Sequence, residues 1–212
     1  DEGEGYWDEE GKKILASLNL NPNLQKRENH LDPLWKDPSS SFTIFVGDAQ
    51  AVGSRETLGK HNINCVINCT EHLQNFFESS NDFSYFRFHI TSWTKQSMGT
   101  NMLGEKQISL SKFKKFVSPV FRFLEKCRME KNGNVIIHCL AGAHRAGTTA
   151  CATLMFYENL KKDEAIKMAK VTRQQIDPHG FLITFLEQFE KVLKDIRREC
   201  LAEKGKNDCV LC

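Results

Sequence analysis

The residues best suited to chemistry stand together in Cys139-Leu140-Ala141-Gly142-Ala143-His144-Arg145. A short apolar run over residues 135–138 enters this segment, and a helical pattern over residues 146–160 leaves it. A strand, a tight loop and a helix start in succession form an anion cradle. The loop's backbone N–H groups converge on one point, and the helix N-terminus adds positive potential there. Gly142 permits the backbone curl. Arg145 carries a planar fork that grips two oxygens of a phosphate. The same field favours the thiolate of Cys139. A thiolate beneath a bound phosphate is a nucleophile for phosphoryl transfer.

Such a loop needs a sheet to hold it. Residues 42–46, 65–69, 83–90 and 135–138 read as strands. Helical patterns cover 57–61, 146–160, 163–173 and 180–199, and Leu110, Phe113, Val117, Val120, Leu124 and Cys127 recur on one helical face. Pro119 after Ser118 predicts a kink or restart of that helix with Ser118 as cap. Strands separated by helices predict an α/β fold with a central, mostly parallel sheet covered by helices on both faces. The polar stretch 91–107 reads as a loop. Residues 1–38 read as an acidic extension that ends in loop, punctuated by Pro22, Pro33 and Pro38; 39–196 as the catalytic domain; and 197–212 as a tail.

The 212-residue chain has 29 basic and 27 acidic side chains, a net charge of +2, which predicts no nucleic-acid partner. Its apolar runs are too short to span a bilayer, and no signal peptide is evident. The opening residue, Asp1, points to a fragment or a processed form. The eight cysteines are scattered, which suits reduced thiols and a cytoplasmic setting. Cys209 and Cys212 have zinc-knuckle spacing without a second pair, so neither a metal nor a cofactor is expected.

The string HCLAGAHRAG resembles the His-Cys-x5-Arg signature of the cysteine-based protein phosphatases, and its context resembles the dual-specificity branch. Ile44-Phe45-Val46-Gly47-Asp48 looks like that branch's opening strand. GKHNINCVINCT, from Gly59 to Thr70, resembles its following turn and strand. Ile176-Asp177-Pro178-His179-Gly180-Phe181 is similar to the segment that opens its last helix. The resemblance covers residues 39–196. It implies Cys139 as nucleophile, Arg145 as phosphate and transition-state clamp, and the N–H groups of Leu140, Ala141, Gly142, Ala143, His144 and Arg145 as the cradle. His138 matches the family histidine that bonds nearby backbone and helps hold the thiolate.

Two positions depart from the family pattern. Ala146 stands where a Ser or Thr usually helps the thiolate leave, and Thr148 or Thr149 substitutes only if the helix start is shifted. The aspartate expected as general acid is missing after residue 90, where the chain reads Thr91-Ser92-Trp93. Glu105, at a comparable separation from Cys139, is the candidate acid; a solvated loop glutamate is the alternative. Cys69, at the end of its strand, lies where some relatives carry a cysteine that forms a disulfide with the nucleophile; a small buried hydrophobe is its other reading.

The function so implied is hydrolysis of phosphomonoesters, with phosphoserine, phosphothreonine or phosphotyrosine of a protein as substrate. A phosphate-binding pseudophosphatase and a phosphoglucan phosphatase are the alternatives, the latter because Trp35 and Trp93 could offer stacking surfaces. Cys209-Val210-Leu211-Cys212 has the layout of a prenylation signal and would give a weak lipid anchor through Cys209; a flexible thiol-bearing tail is the plainer reading.

Overall fold

The computed structural model describes residue 9, residues 30–130 and residues 133–202. Most of the acidic segment, with Cys209-Val210-Leu211-Cys212, therefore lies outside the described residues. Five strands build the main sheet: β1 (Leu31–Lys36), β2 (Thr43–Gly47), β3 (Ile63–Asn68), β4 (Ser84–Arg87) and β7 (Asn134–His138). Their order is β1-β2-β7-β3-β4, with β1 antiparallel to β2 and the other pairings parallel. β5 (Met98–Thr100) and β6 (Lys106–Ile108) form a separate hairpin.

The central strands are apolar on both faces, and their residues alternate between two cores as the pleat requires. Ile44, Val46, Ile67, Val135 and Ile137 point into the larger core. There they meet α4 (Leu110–Glu130), α5 (Arg145–Glu158), α6 (Lys162–Thr172) and α7 (Phe181–Ala202) through Val117, Leu124, Phe156, Ala165, Phe185 and Phe189. Phe45, Val66 and Ile136 point the other way, against Val52 of α1 (Ala49–Gly53) and Leu58 of α2 (Arg55–Lys60). A mostly parallel sheet with helices on both faces is the architecture the sequence predicts.

Several elements differ from expectation. Residues 31–36, read as loop, form the edge strand β1. Pro33 hides the strand pattern, yet an edge position tolerates its missing N–H, and the register shifts between Pro33 and Trp35. The polar stretch contains a 3₁₀ turn (Ile90–Ser92), α3 (Trp93–Ser97) and the β5–β6 hairpin. Pro119 neither ends nor restarts α4, which is one helix of 21 residues. Ser118 is no cap; its hydroxyl donates to the Lys114 carbonyl at 2.7 Å. The expected tail from residue 197 is helical through Ala202, and Cys200 is buried in the main core. Among the described residues no helix is long and apolar enough to cross a membrane.

Candidate active site

Because β2, β7 and β3 run parallel, their C-terminal ends share one edge, where Gly47, His138 and Asn68 stand in register. Ligands of open α/β sheets bind beyond this edge. The chain leaves β7 at His138, forms the loop 139–144 and enters α5 at Arg145. Cys139 is 3% exposed and Arg145 1% exposed. No side chain caps the start of α5, so its N-terminal field faces the loop.

The loop is held by its carbonyls. Leu140 O accepts from Ala49 N at 3.0 Å, and Ala143 O from Asp177 N at 3.2 Å. Ala141 O accepts from Arg173 Nη2 at 3.3 Å and from Gln175 Nε2 at 3.2 Å, while Gly142 O accepts from Arg173 Nε at 3.2 Å. His144 O takes the amide and hydroxyl of Thr148, and Arg145 O takes the hydroxyl of Thr149. Each carbonyl from 140 to 145 is thus drawn out of the loop. Since C=O and N–H point oppositely across a peptide plane, the N–H groups turn inward. The turn depends on Gly142, whose φ is +67° and where a Cβ would stand 2.5 Å from Gly47 O.

Arg173 is the hidden support. Its guanidinium is 1% exposed, donates to Asp32 Oδ2 at 2.8 Å and lies 3.7 Å from Asp48 Oδ2. Asp48 in turn caps α1 by accepting from Gln50 N and Ala51 N, and pairs with His30 Nδ1 at 3.0 Å. Arg173, Gln175 and Asp32 were not among the site residues expected from sequence. Arg173 lies 31 positions from Gly142 and 141 from Asp32, so no local spacing marks it.

His138 is buried, and burial pushes its pKa down to about 3; its bond to the Cys139 backbone opposes this, and the positive charges of Arg87 and Arg145 add to it. It is therefore a neutral ring tied to the backbone of Cys139. Thr148 and Thr149 both spend their hydroxyls on carbonyls one turn back in α5, with no shift of the helix start. Neither takes over from Ala146. Glu105 lies exposed at the turn of the β5–β6 hairpin. Its carboxylate accepts from Asn101 Nδ2 at 2.8 Å, and its amide donates to Asn101 Oδ1 at 2.9 Å. The structure thus holds Glu105 on a hairpin turn and does not bring it into the loop's hydrogen-bond network.

Cys69 is buried directly beside the strand end that leads into Cys139: Cys69 N donates to His138 O at 2.8 Å, and its thiol donates to Thr149 Oγ1 at 3.3 Å. Trp93 is 1% exposed and packs edge-on against Phe113 and Phe185, while Trp35 stacks on Tyr157. Both tryptophans are packing residues, so the stacking surfaces expected for a glucan are not formed.

Comparison with known proteins supplies an independent view. The sequence model of the family described as "Dual specificity phosphatase, catalytic domain" matches residues 44–192. Dual specificity protein phosphatase 9 of Homo sapiens is 27% identical over 151 residues, which is 71% of this chain and 35% of that protein. Dual specificity protein phosphatase Mpk3 of Drosophila melanogaster is 28% identical over 151 residues, covering 71% of this chain and 33% of that one. The chain thus spans about a third of the length of these curated relatives. Among solved structures, human DUSP28 superposes with a TM-score of 0.56 at 16% identity, over 78% of this chain and 96% of that one. DUSP15 does so with a TM-score of 0.56 at 21% identity, over 75% and 90%. At such identity these structures speak to the fold.

Proposed function

The chain belongs to the dual specificity phosphatase catalytic-domain family, and from that premise we propose that it hydrolyses phosphomonoesters of proteins through a phosphocysteine on Cys139. The observation that supports this most is the outward bonding of every carbonyl from 140 to 145, which turns the opposite N–H groups toward the inside of the loop. The Cys139 thiolate attacks phosphorus, the P–S bond forms, and the ester oxygen leaves with its electron pair. Arg145 and the loop amides hold the remaining phosphate oxygens as charge redistributes. Glu105, carried on its hairpin, gives the leaving oxygen a proton. Water then attacks the phosphocysteine, releasing phosphate and the thiolate. Phosphoserine, phosphothreonine and phosphotyrosine proteins are the substrates of this reading, in the cytoplasm, with the catalytic domain over residues 39–196 extended at its edge by β1.

A second reading, a phosphate-binding pseudophosphatase, draws support from Ala146 together with the two diverted threonine hydroxyls. Turnover of a small aryl phosphate separates the two. On the first reading Cys139→Ser abolishes turnover and still binds a phosphate analogue; equal turnover by the variant rejects the mechanism. Repeated turnover by the wild type rejects the second reading.

A further inference from the structure

We infer that His144, Asp177 and His179 form a binding site for a divalent transition metal of the zinc class at the outer rim of the phosphate-binding loop. One ligand atom from each of the three residues lies within 4.8 Å of the other two. His144 is the last loop residue before Arg145. Asp177 and His179 belong to the segment between α6 and α7 that closes over it, and the two imidazole rings meet at 4.3 Å, nearly perpendicular.

The hydrogen bonds set the tautomers. His144 Nδ1 is 2.7 Å and His179 Nδ1 3.1 Å from the same acceptor, the Asp177 carbonyl. A carbonyl oxygen only accepts, so each ring directs its Nδ1–H at it, and Nε2 is the nitrogen a metal would take. That is the state a metal ligand needs, with the other ring nitrogen anchored on a backbone oxygen. Asp177 supplies the hard, anionic donor. Its Oδ1 is engaged by Lys170 Nζ at 2.9 Å, while Oδ2 lies 3.6 Å from His179 Nδ1.

Two nitrogens and one carboxylate oxygen form a ligand set suited to zinc, with a fourth position open to water. Donor atoms around a tetrahedral ion stand about 3.3 Å apart, so the three side chains must draw together to share one. The exposed Asp177 can make that movement. The three residues also grade from buried His144 through His179 to exposed Asp177, which gives an ion a way in. Bound there, the ion ties the end of the phosphate loop to the segment before α7. Lys170, whose ammonium shares Asp177, is the built-in competitor.

The test is calorimetric titration of the full chain with Zn2+, without substrate, on wild type and four variants. Wild type is expected to bind one ion at this site. His179→Ala and Asp177→Asn should each weaken binding at least tenfold, Lys170→Gln should tighten it several-fold, and Cys139→Ser should leave it unchanged. Binding by Co2+ should give the spectrum of nitrogen and oxygen ligands without a thiolate charge-transfer band. Failure of wild type to bind overturns the inference. So does undiminished affinity in His179→Ala, or loss of binding in Cys139→Ser, which would put the ion on the nucleophile. Because no turnover is measured, each of these results leaves the phosphatase reading where it stands.

Discussion

Replacing Arg173 by Met tests whether the loop is held from beneath. The change keeps a long side chain in the buried slot but removes the donors to Ala141 O and Gly142 O and the partner of Asp32. Breaking a buried ion pair from one side costs about 3–5 kcal/mol, and each stranded buried acceptor adds about 1–3 kcal/mol. Relief comes from three sides: Gln175 still donates to Ala141 O, Asp48 keeps His30, and Asp32 retains 16% side-chain exposure to water. The expected loss is therefore near the lower bound, about 3 kcal/mol, a large share of the roughly 5–15 kcal/mol that holds a domain folded. With its two carbonyls released, the loop no longer keeps its amides inward, and kcat/KM should fall about tenfold to a hundredfold, equivalent to about 1.4–2.7 kcal/mol of transition-state binding. Arg173→Lys should recover the pairing with Asp32 but not the fork across two carbonyls, and so fall between. Urea unfolding and aryl phosphate kinetics read the two effects. Stability within about 1 kcal/mol of wild type would refute the reasoning, as would full kcat/KM in a destabilised but folded variant.

Glu105→Gln should slow an alkyl phosphate far more than an aryl phosphate, because only the poor leaving group needs its proton, with an effect of about 10²–10⁴; equal effects would remove Glu105 from the mechanism. Ala146→Ser should raise the steady-state rate several-fold if release of the thiolate limits turnover, and burst kinetics with an unchanged plateau would contradict that. His138 is neutral when folded and has an ordinary value of 6.5 when unfolded. From there down to about pH 3 the unfolded chain binds a proton the folded chain does not, so stability is complete above about pH 6.5 and declines as pH falls, by up to about 1.4 kcal/mol per pH unit. His138→Asn should flatten that slope in urea titrations at successive pH values; an identical slope would exclude His138 as its source. Peroxide should convert the Cys139 thiolate to a sulfenic acid that the Cys69 thiol attacks, forming a disulfide and releasing water. Asn68 and His138 stand in register at the strand ends, and Cys69 N donates to His138 O at 2.8 Å, so the chains carrying the two cysteines run side by side there. Peptide mapping that finds over-oxidised Cys139 and no Cys69–Cys139 linkage would end the idea.

Much of the site was legible because its parts are consecutive. The apolar strand 135–138, Gly142 at a positive φ and Arg145 at the first helical turn are local features, each declared by residue type and neighbours. The alternating cores of β2, β3 and β7 follow from runs apolar on both faces. The edge strand β1 was concealed by Pro33, and the continuous helix α4 by Pro119, since in both cases surrounding structure outweighs a local preference.

By itself, the amino-acid sequence determined the family and the strand–loop–helix turn around Cys139 and Arg145, because such a turn is written in adjacent residues. Only the tertiary structure decided what holds that loop and what lies beside it. Arg173 reaches two of its carbonyls from the end of α6, Asp32 answers Arg173 from the far edge of the sheet, and Asp177 and His179 come to rest against His144. The threonines after Ala146 are likewise committed to backbone only once α5 is wound from Arg145. These are long-range pairings of polar groups, recruited because burial leaves each donor and acceptor to find a partner wherever packing brings one, and sequence spacing carries no record of that search.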